Sequence, residues 1–215
     1  MRTLIITGGR FEREFAASFL KRNKYDKIIA VDRGLDYLEE LGVVPDLIVG
    51  DFDSCEAATL KKYQEKNVVI RRFLPEKDDT DTEIAVREAV SCNSDMDILC
   101  ATGGRLDHFL STLGNMKLAL TSGLKARIID SSNVIYLQDG AFSIDKEGKK
   151  YISFLPFEGE VKNLKLKGFK YNLDGYDLKP GTSRCISNEI VDDKAFVSFD
   201  YGCLIVIEAS DIKSE

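Results

Sequence analysis

The chain has 215 residues, room for one large domain or two small ones, and its 44% hydrophobic and 31% charged residues are those of an ordinary soluble globular protein. A formal net charge of -6 argues against a non-specific nucleic-acid binder, whose footprint is a basic face. The 5 cysteines are scattered without a C-x-x-C pair, which suits free thiols in a reducing compartment better than a disulfide framework or a zinc site. With no apolar leader and no apolar run of about 18 residues, the expected place is the cytoplasm, away from membranes.

In chain order, Leu4-Ile5-Ile6-Thr7 reads as a short buried strand ending in Gly8-Gly9. Phe11, Phe15 and Phe19 recur every fourth residue among charged residues, which predicts an amphipathic helix. Lys27–Val31 is a second strand with Asp32-Arg33-Gly34 at its end, and Leu35, Leu38 and Leu41 give a short helix stopped at Gly42. Leu47-Ile48-Val49 is a third strand running into Gly50-Asp51-Phe52-Asp53-Ser54. A lysine-rich helix over 56–66 and a strand at Val68-Val69-Ile70 follow. Then come the acid-rich Lys77-Asp78-Asp79-Thr80-Asp81-Thr82-Glu83, a helix opened by Thr80, a strand at Ile98–Ala101, Gly103–His108, a long helix through Leu118 and a strand at Ala126–Ile129.

Such alternation predicts an α/β domain with a mainly parallel sheet. In such sheets ligands bind beyond the carboxyl ends of the strands. Here successive strand ends carry Gly8-Gly9, Asp32-Arg33-Gly34, Asp51/Asp53, Lys77–Asp81 and Gly103–His108, so a site is expected on that edge.

After about residue 130 the texture changes to short strands, several alternating apolar and polar residues, with turn signals at Asp139-Gly140, Glu147-Gly148, Asp174-Gly175 and Pro180-Gly181. Cys203–Ile207 is almost wholly apolar and reads as a central strand. This half predicts an all-β sandwich or barrel, giving an α/β domain over 1–130 and a β domain over 131–215.

Two acid clusters, each at a strand end, with Lys77 between them, fit a magnesium and polyphosphate site, because magnesium takes one or two carboxylates together with substrate phosphates. Each cluster by itself also fits a helix capping box, Asp53 with Glu56 and Thr80 with Glu83, but together they hold more acid than capping needs. The phosphate cradles G-x-G-x-x-G and G-x-x-x-x-G-K-[ST] are missing. Gly103-Gly104-Arg105 before a helix can do that job, with backbone close to an anion and a guanidinium to fork onto it. Asp51-Phe52-Asp53 is also compatible with a D-x-D phosphatase of the haloacid-dehalogenase type, though that nucleophile usually follows the first strand and this one follows the third. A metal-dependent glycosyltransferase and a non-catalytic nucleotide-sensing module are further alternatives.

Gly50-Asp51-Phe52-Asp53-Ser54, Lys77-Asp78-Asp79-Thr80-Asp81 and Gly103-Gly104-Arg105-Leu106-Asp107-His108, in this order, resemble the three signature blocks of the thiamine pyrophosphokinase family. The resemblance implies transfer of a pyrophosphoryl group from ATP to the thiamine hydroxyl, with Mg2+ on Asp51, Asp53 and Asp81. It implies that Lys77, Thr80, Gly103, Gly104 and Arg105 hold the ATP phosphates, with Asp107, His108 and Arg33 in the same ATP-binding wall and Asp46 a possible supporting acid. Asp51, Asp53, Asp81 and Arg105 are then the catalytic set, and Asp78, Ser187 and Asn188 face the substrate. It further implies a homodimer with thiamine at the subunit interface. Two departures stand out: relatives that stack thiamine on a tryptophan have no counterpart in a chain with 0 Trp, and Thr112 replaces an expected asparagine.

Overall fold

The computed structural model describes residues 1–53, 55–66, 68–72 and 79–211, and the chain divides into two compact units, Met1–Ser131 and Ser132–Glu215. Lys77 and Asp78, expected at the site, lie outside the described residues, as does Ser54.

In the first unit short strands alternate with helices: β1 (Arg2–Ile6), α1 (Arg13–Arg22), β2 (Lys27–Val31), α2 (Gly34–Glu40), β3 (Leu47–Gly50), α3 (Ala57–Glu65), β4 (Val69–Arg72), α4 (Asp81–Ser91), β5 (Asp95–Leu99), α5 (Leu106–Thr121) and β6 (Ala126–Ile129). The strands pair in parallel in the order β4-β3-β2-β1-β5-β6. Parallel sheets are covered by their crossover helices, which is why Leu4-Ile5-Ile6, Ile29-Ala30-Val31 and Leu47-Ile48-Val49 are apolar without alternation and buried. Strands 2, 3 and 4 build outward on one side of β1, and α4 then carries the chain back to β5 on its other side. The order therefore reverses between β1 and β5, and the crevice of such sheets opens there.

Local chemistry sets the helix ends. Thr80 caps α4, its hydroxyl accepting the Glu83 N–H at 3.2 Å, and Asp81 and Glu83 place negative charge on the first turn. The capping box expected between Asp53 and Glu56 does not form. Glu56 itself stands at the N-cap of α3 without a side-chain bond, and the Asp53 N–H turns back to Asp51 Oδ1 at 3.0 Å. Phe11 lies ahead of α1 and stacks on Tyr37 of α2.

The second unit holds β7 (Asn133–Gln138), β8 (Phe142–Asp145), β9 (Tyr151–Pro156), β10 (Val161–Lys167), β11 (Leu173–Leu178), β12 (Lys194–Ser198) and β13 (Leu204–Ala209). β13 runs antiparallel between β7 and β9, the central place its apolar run predicts. A second antiparallel sheet has the order β11-β10-β12-β8. The inward residues of both sheets, among them Phe154, Leu164, Val197, Leu204 and Val206, share one core, so the unit is a β-sandwich. Asp174-Gly175 is a correction: read as a turn, it lies inside β11, where Gly175 takes φ +77° opposite a register shift in β10.

Candidate active site

The carboxyl ends of β1 and β5 are laced together beyond the strands themselves. Thr7 N–H donates to Leu99 O (3.1 Å), Gly9 N–H to Cys100 O (2.7 Å) and Arg10 N–H to Thr102 O (2.9 Å), while the Thr7 hydroxyl donates to Cys100 O (2.7 Å). So close an approach excludes a side chain at Gly9, where a Cβ would lie 2.2 Å from Cys100 O. Along the same edge, non-glycine residues take left-handed backbone after β2 (Asp32, φ 48°), after β3 (Phe52, φ 65°) and after β5 (Cys100, φ 59°). Aspartate tolerates this conformation, but for phenylalanine and cysteine it costs on the order of 1–3 kcal/mol each, and such strain clusters at functional sites.

These strand ends enclose a cleft of about 860 Å³. Of the residues expected at the site, Arg33, Asp51, Asp53, Asp81, Gly103, Gly104, Arg105 and His108 all line it, joined by Gly8, Gly9 and Asp32. Thr80 and Asp107 line a smaller pocket of about 230 Å³ that shares Thr82, His108 and Thr112 with the cleft. Thr112 donates its hydroxyl to His108 O at 2.8 Å, so the departure from asparagine leaves α5 intact. Asp46 is not brought to this edge. It precedes β3 at the strand's amino end, where its carboxylate accepts the Ile28 N–H at 2.7 Å.

Arg105 stands at the N-cap of α5 with its fork on Asp107, Nε to Oδ1 at 3.1 Å and Nη2 to Oδ2 at 2.5 Å. The Arg105 hydrogen bonds, with a further one from the His108 N–H, hold the Asp107 carboxyl down to about 2. The pair is exposed at the mouth of the site, so a phosphate can take the same fork. Cys100 lines the cleft as an inert thiol, pushed up to about 12 by burial.

Among the described residues no three His, Cys, Asp or Glu side chains are gathered tightly enough to make a ready metal cage. The donor set nonetheless suits magnesium, whose shell is completed by phosphate oxygens and water and needs only one or two carboxylates from the protein. Asp51, Asp53 and Asp81 supply hard oxygens to one cleft from two elements.

In the second unit Asn188 is 3% exposed and its amide is spent on backbone. Nδ2 donates to Tyr171 O (2.8 Å), and Oδ1 accepts the N–H groups of Tyr171 (3.0 Å) and Glu189 (3.0 Å). Asn188 thereby fixes Tyr171, a residue 61% exposed, and both line a pocket of about 450 Å³ with Lys170 and Arg184. Ser187 takes φ 57° and donates its N–H to Ser153 Oγ at 2.9 Å.

Sequence reasoning missed Arg10, Phe11 and Tyr37 in the cleft wall. The rings of Phe11 and Tyr37 stack at 4.4 Å and 4°, and the Tyr37 hydroxyl donates to Gly9 O at 3.0 Å. Phe11 was hidden by its four-residue spacing from Phe15. A usable signal was present, because Thr7-Gly8-Gly9-Arg10 repeats as Thr102-Gly103-Gly104-Arg105.

Residues 19–128 match the family described as the thiamin pyrophosphokinase catalytic domain, and residues 141–204 match the thiamin pyrophosphokinase vitamin B1 binding domain. The chain belongs to the thiamin pyrophosphokinase family. A thiamine pyrophosphokinase of Bacillus subtilis (strain 168) is 36% identical over 186 residues, 85% of this chain and 87% of its own. The crystal structure of thiamine pyrophosphokinase from Bacillus subtilis superposes with a TM-score of 0.89 at 31% identity, covering 99% of this chain and 100% of that one. That from Geobacillus thermodenitrificans gives 0.85 at 33% identity, covering 99% of each chain. The yeast thiamin pyrophosphokinase, at 17% identity and a TM-score of 0.83 over 97% of this chain and 86% of that one, shares the fold. As a member of this family the protein is an enzyme of the kinase class, and the phosphatase, glycosyltransferase and sensing-module alternatives find no support.

Proposed function

We propose that the enzyme transfers the pyrophosphoryl group of ATP to the hydroxyl of thiamine, giving thiamine diphosphate and AMP. The observation that carries this reading is the meeting of Asp51, Asp53, Asp81 and Arg105 in one cleft at the reversal point of the sheet, in a chain of this family. The thiamine hydroxyl attacks the β-phosphorus in line and AMP leaves. The protein's task is to align the two substrates and to balance charge, the usual sources of rate in phosphoryl transfer. Arg105 forks onto phosphate oxygens in place of Asp107, and Gly103 and Gly104 let the backbone approach them. Lys77 and Thr80 complete the phosphate contacts, while Asp107, His108 and Arg33 shape the wall. Asp51, Asp53 and Asp81 are the residues to hold Mg2+, which when bound neutralises charge on the phosphate oxygens.

Thiamine is held at a homodimer interface, with Asp78 from the α/β unit and the Ser187-Asn188 segment from the β unit. Tyr171, pinned through its backbone by Asn188, offers an exposed aromatic face in place of the tryptophan this chain does not have. The scattered free cysteines favour the reducing cytoplasm.

Incubation with ATP, magnesium and thiamine, followed by separation of the products, tests the reaction. AMP should form in step with thiamine diphosphate and only when thiamine is present. ADP or free phosphate without AMP would overturn the proposal. Asp81→Asn should lower turnover by roughly a hundredfold or more, the scale on which lost transition-state charge stabilisation is felt, in a protein that still folds and loses only the roughly 0.3–1 kcal/mol of one first-turn charge.

A further inference from the structure

The sequence Thr-Gly-Gly-Arg occurs at the ends of both strands that flank the reversal point, as residues 7–10 after β1 and 102–105 after β5. The second copy provides Arg105; the first has been given no role. It lies outside the stretch 19–128 that matches the family's catalytic domain.

The two loops are held against one another by the Gly9 N–H to Cys100 O and Arg10 N–H to Thr102 O hydrogen bonds. This contact carries the Arg10 side chain directly across Gly103. A Cβ built on Gly103 would meet Arg10 Cβ at 2.6 Å and Cδ at 2.8 Å, so the glycine of one copy makes the path for the arginine of the other. The Arg10 side chain is 61% exposed and lines the cleft, and its contact with Glu12 is long, Nε to Oε1 at 3.6 Å. Arg105, by contrast, is already forked onto Asp107. The same cleft is lined by Asp32, Asp51, Asp53 and Asp81, so a polyphosphate entering it needs cationic partners there, and Arg10 and Arg33 line it beside Arg105.

We infer that Arg10 is a second phosphate-binding arginine, which meets the polyphosphate of the nucleotide from the β1 side while Arg105 meets it from the β5 side. This rests on the reading of the cleft as the ATP site. The loose Glu12 contact is the one Arg10 gives up, so little has to be broken when phosphate arrives. A guanidinium offers a planar fork that suits phosphate oxygens, and a charged hydrogen bond of this kind is strong enough to be read in affinity.

The test uses the full chain and two probes, inorganic tripolyphosphate with magnesium in direct binding and ATP in steady-state kinetics. Arg10→Ala should weaken tripolyphosphate binding and raise KM for ATP by about tenfold, as loss of one charged hydrogen bond predicts, with KM for thiamine unchanged. Arg10→Lys should recover part of the loss, whereas Arg10→Gln, which keeps side-chain bulk over Gly103 without the charge, should not. Wild-type tripolyphosphate affinity in Arg10→Ala or in Arg10→Gln would overturn the assignment, as would a rise confined to KM for thiamine or a wild type that does not bind tripolyphosphate. A wild type that binds tripolyphosphate but forms no thiamine diphosphate would instead overturn the proposed reaction and leave the role of Arg10 standing.

Discussion

Asp97 shows what a single carboxylate does away from the cleft. Its side chain is 2% exposed on β5 and accepts hydrogen bonds from Arg2 Nη2 (2.6 Å), the Tyr25 hydroxyl (2.6 Å), and Arg127 Nε and Nη2 (2.8 and 3.1 Å). Burial alone would push this carboxyl up; the hydrogen bonds from Arg127 and Tyr25 and the Arg127 charge outweigh it and hold the group below its ordinary value of 3.8. A depressed folded-state value means the unfolded chain takes up the proton first as pH falls. The stabilisation is therefore present in full above that ordinary value and is lost as pH drops through the folded one. Both arginines are more than a third exposed and can turn to water when Asp97 is removed, so Asp97→Asn should cost about 2–3 kcal/mol rather than the full penalty of a stranded buried charge. For a chain of this size that is a fall in Tm of roughly 5–10 °C. The acid limb of a Tm-against-pH curve should also flatten in the variant; an unchanged acid limb would remove Asp97 as its source.

At the scale of elements, Thr80 has two claims on it, as the cap of α4 and as a phosphate ligand, and the two can be separated. Thr80→Ala should lose about 1 kcal/mol of stability, the usual worth of an N-cap, and Thr80→Asn should restore it because asparagine caps equally well. If the hydroxyl also meets phosphate, Thr80→Asn regains stability in chemical denaturation but keeps a raised KM for ATP; if both recover, Thr80 is a cap alone. Elements of this kind were legible in the sequence where one physical signal dominated. β1, β2 and β3 announced themselves by their apolar runs, and α4 by its cap and first-turn acids, whereas β5 was legible only from Ile98 because it opens with Asp95-Met96-Asp97. β8 and β11 were not legible, since Phe142–Asp145 is short and β11 contains an Asp-Gly pair whose composition is that of a turn. Only pairing with β10 makes Gly175 part of a strand. That the described residues from Asp51 to Arg105 would gather at one cleft was legible because they fall at strand ends. Tyr37 was not, because between Leu35 and Leu38 it looks like one more core residue, and only the tertiary stack on Phe11 turns it toward the cleft. Nor could spacing reveal that the Asn188 amide is consumed by the Tyr171 backbone, a contact across 17 residues of sandwich.

For the whole molecule, the division of labour between two units with separate cores makes the proposed homodimer testable by complementation. Asp81→Asn damages the α/β unit, and Tyr171→Ala damages the β unit at an exposed ring whose loss should raise KM for thiamine without unfolding the sandwich. Suppose each thiamine site joins the α/β unit of one subunit to the β unit of its partner. A mixed dimer of the two variants then has one site with both defects and one with neither. Random exchange makes half the dimers mixed, and half of their sites are intact, so mixing the two impaired preparations should return about a quarter of the wild-type rate at limiting thiamine, above the residual rate of either variant alone. If each site is instead built within one chain, every site in the mixture carries one defect or the other and the rate stays at that of the separate variants. A two-fold interface pairs the chains one to one, so the recovered rate should also peak at an equal ratio of the two chains and fall away symmetrically on either side.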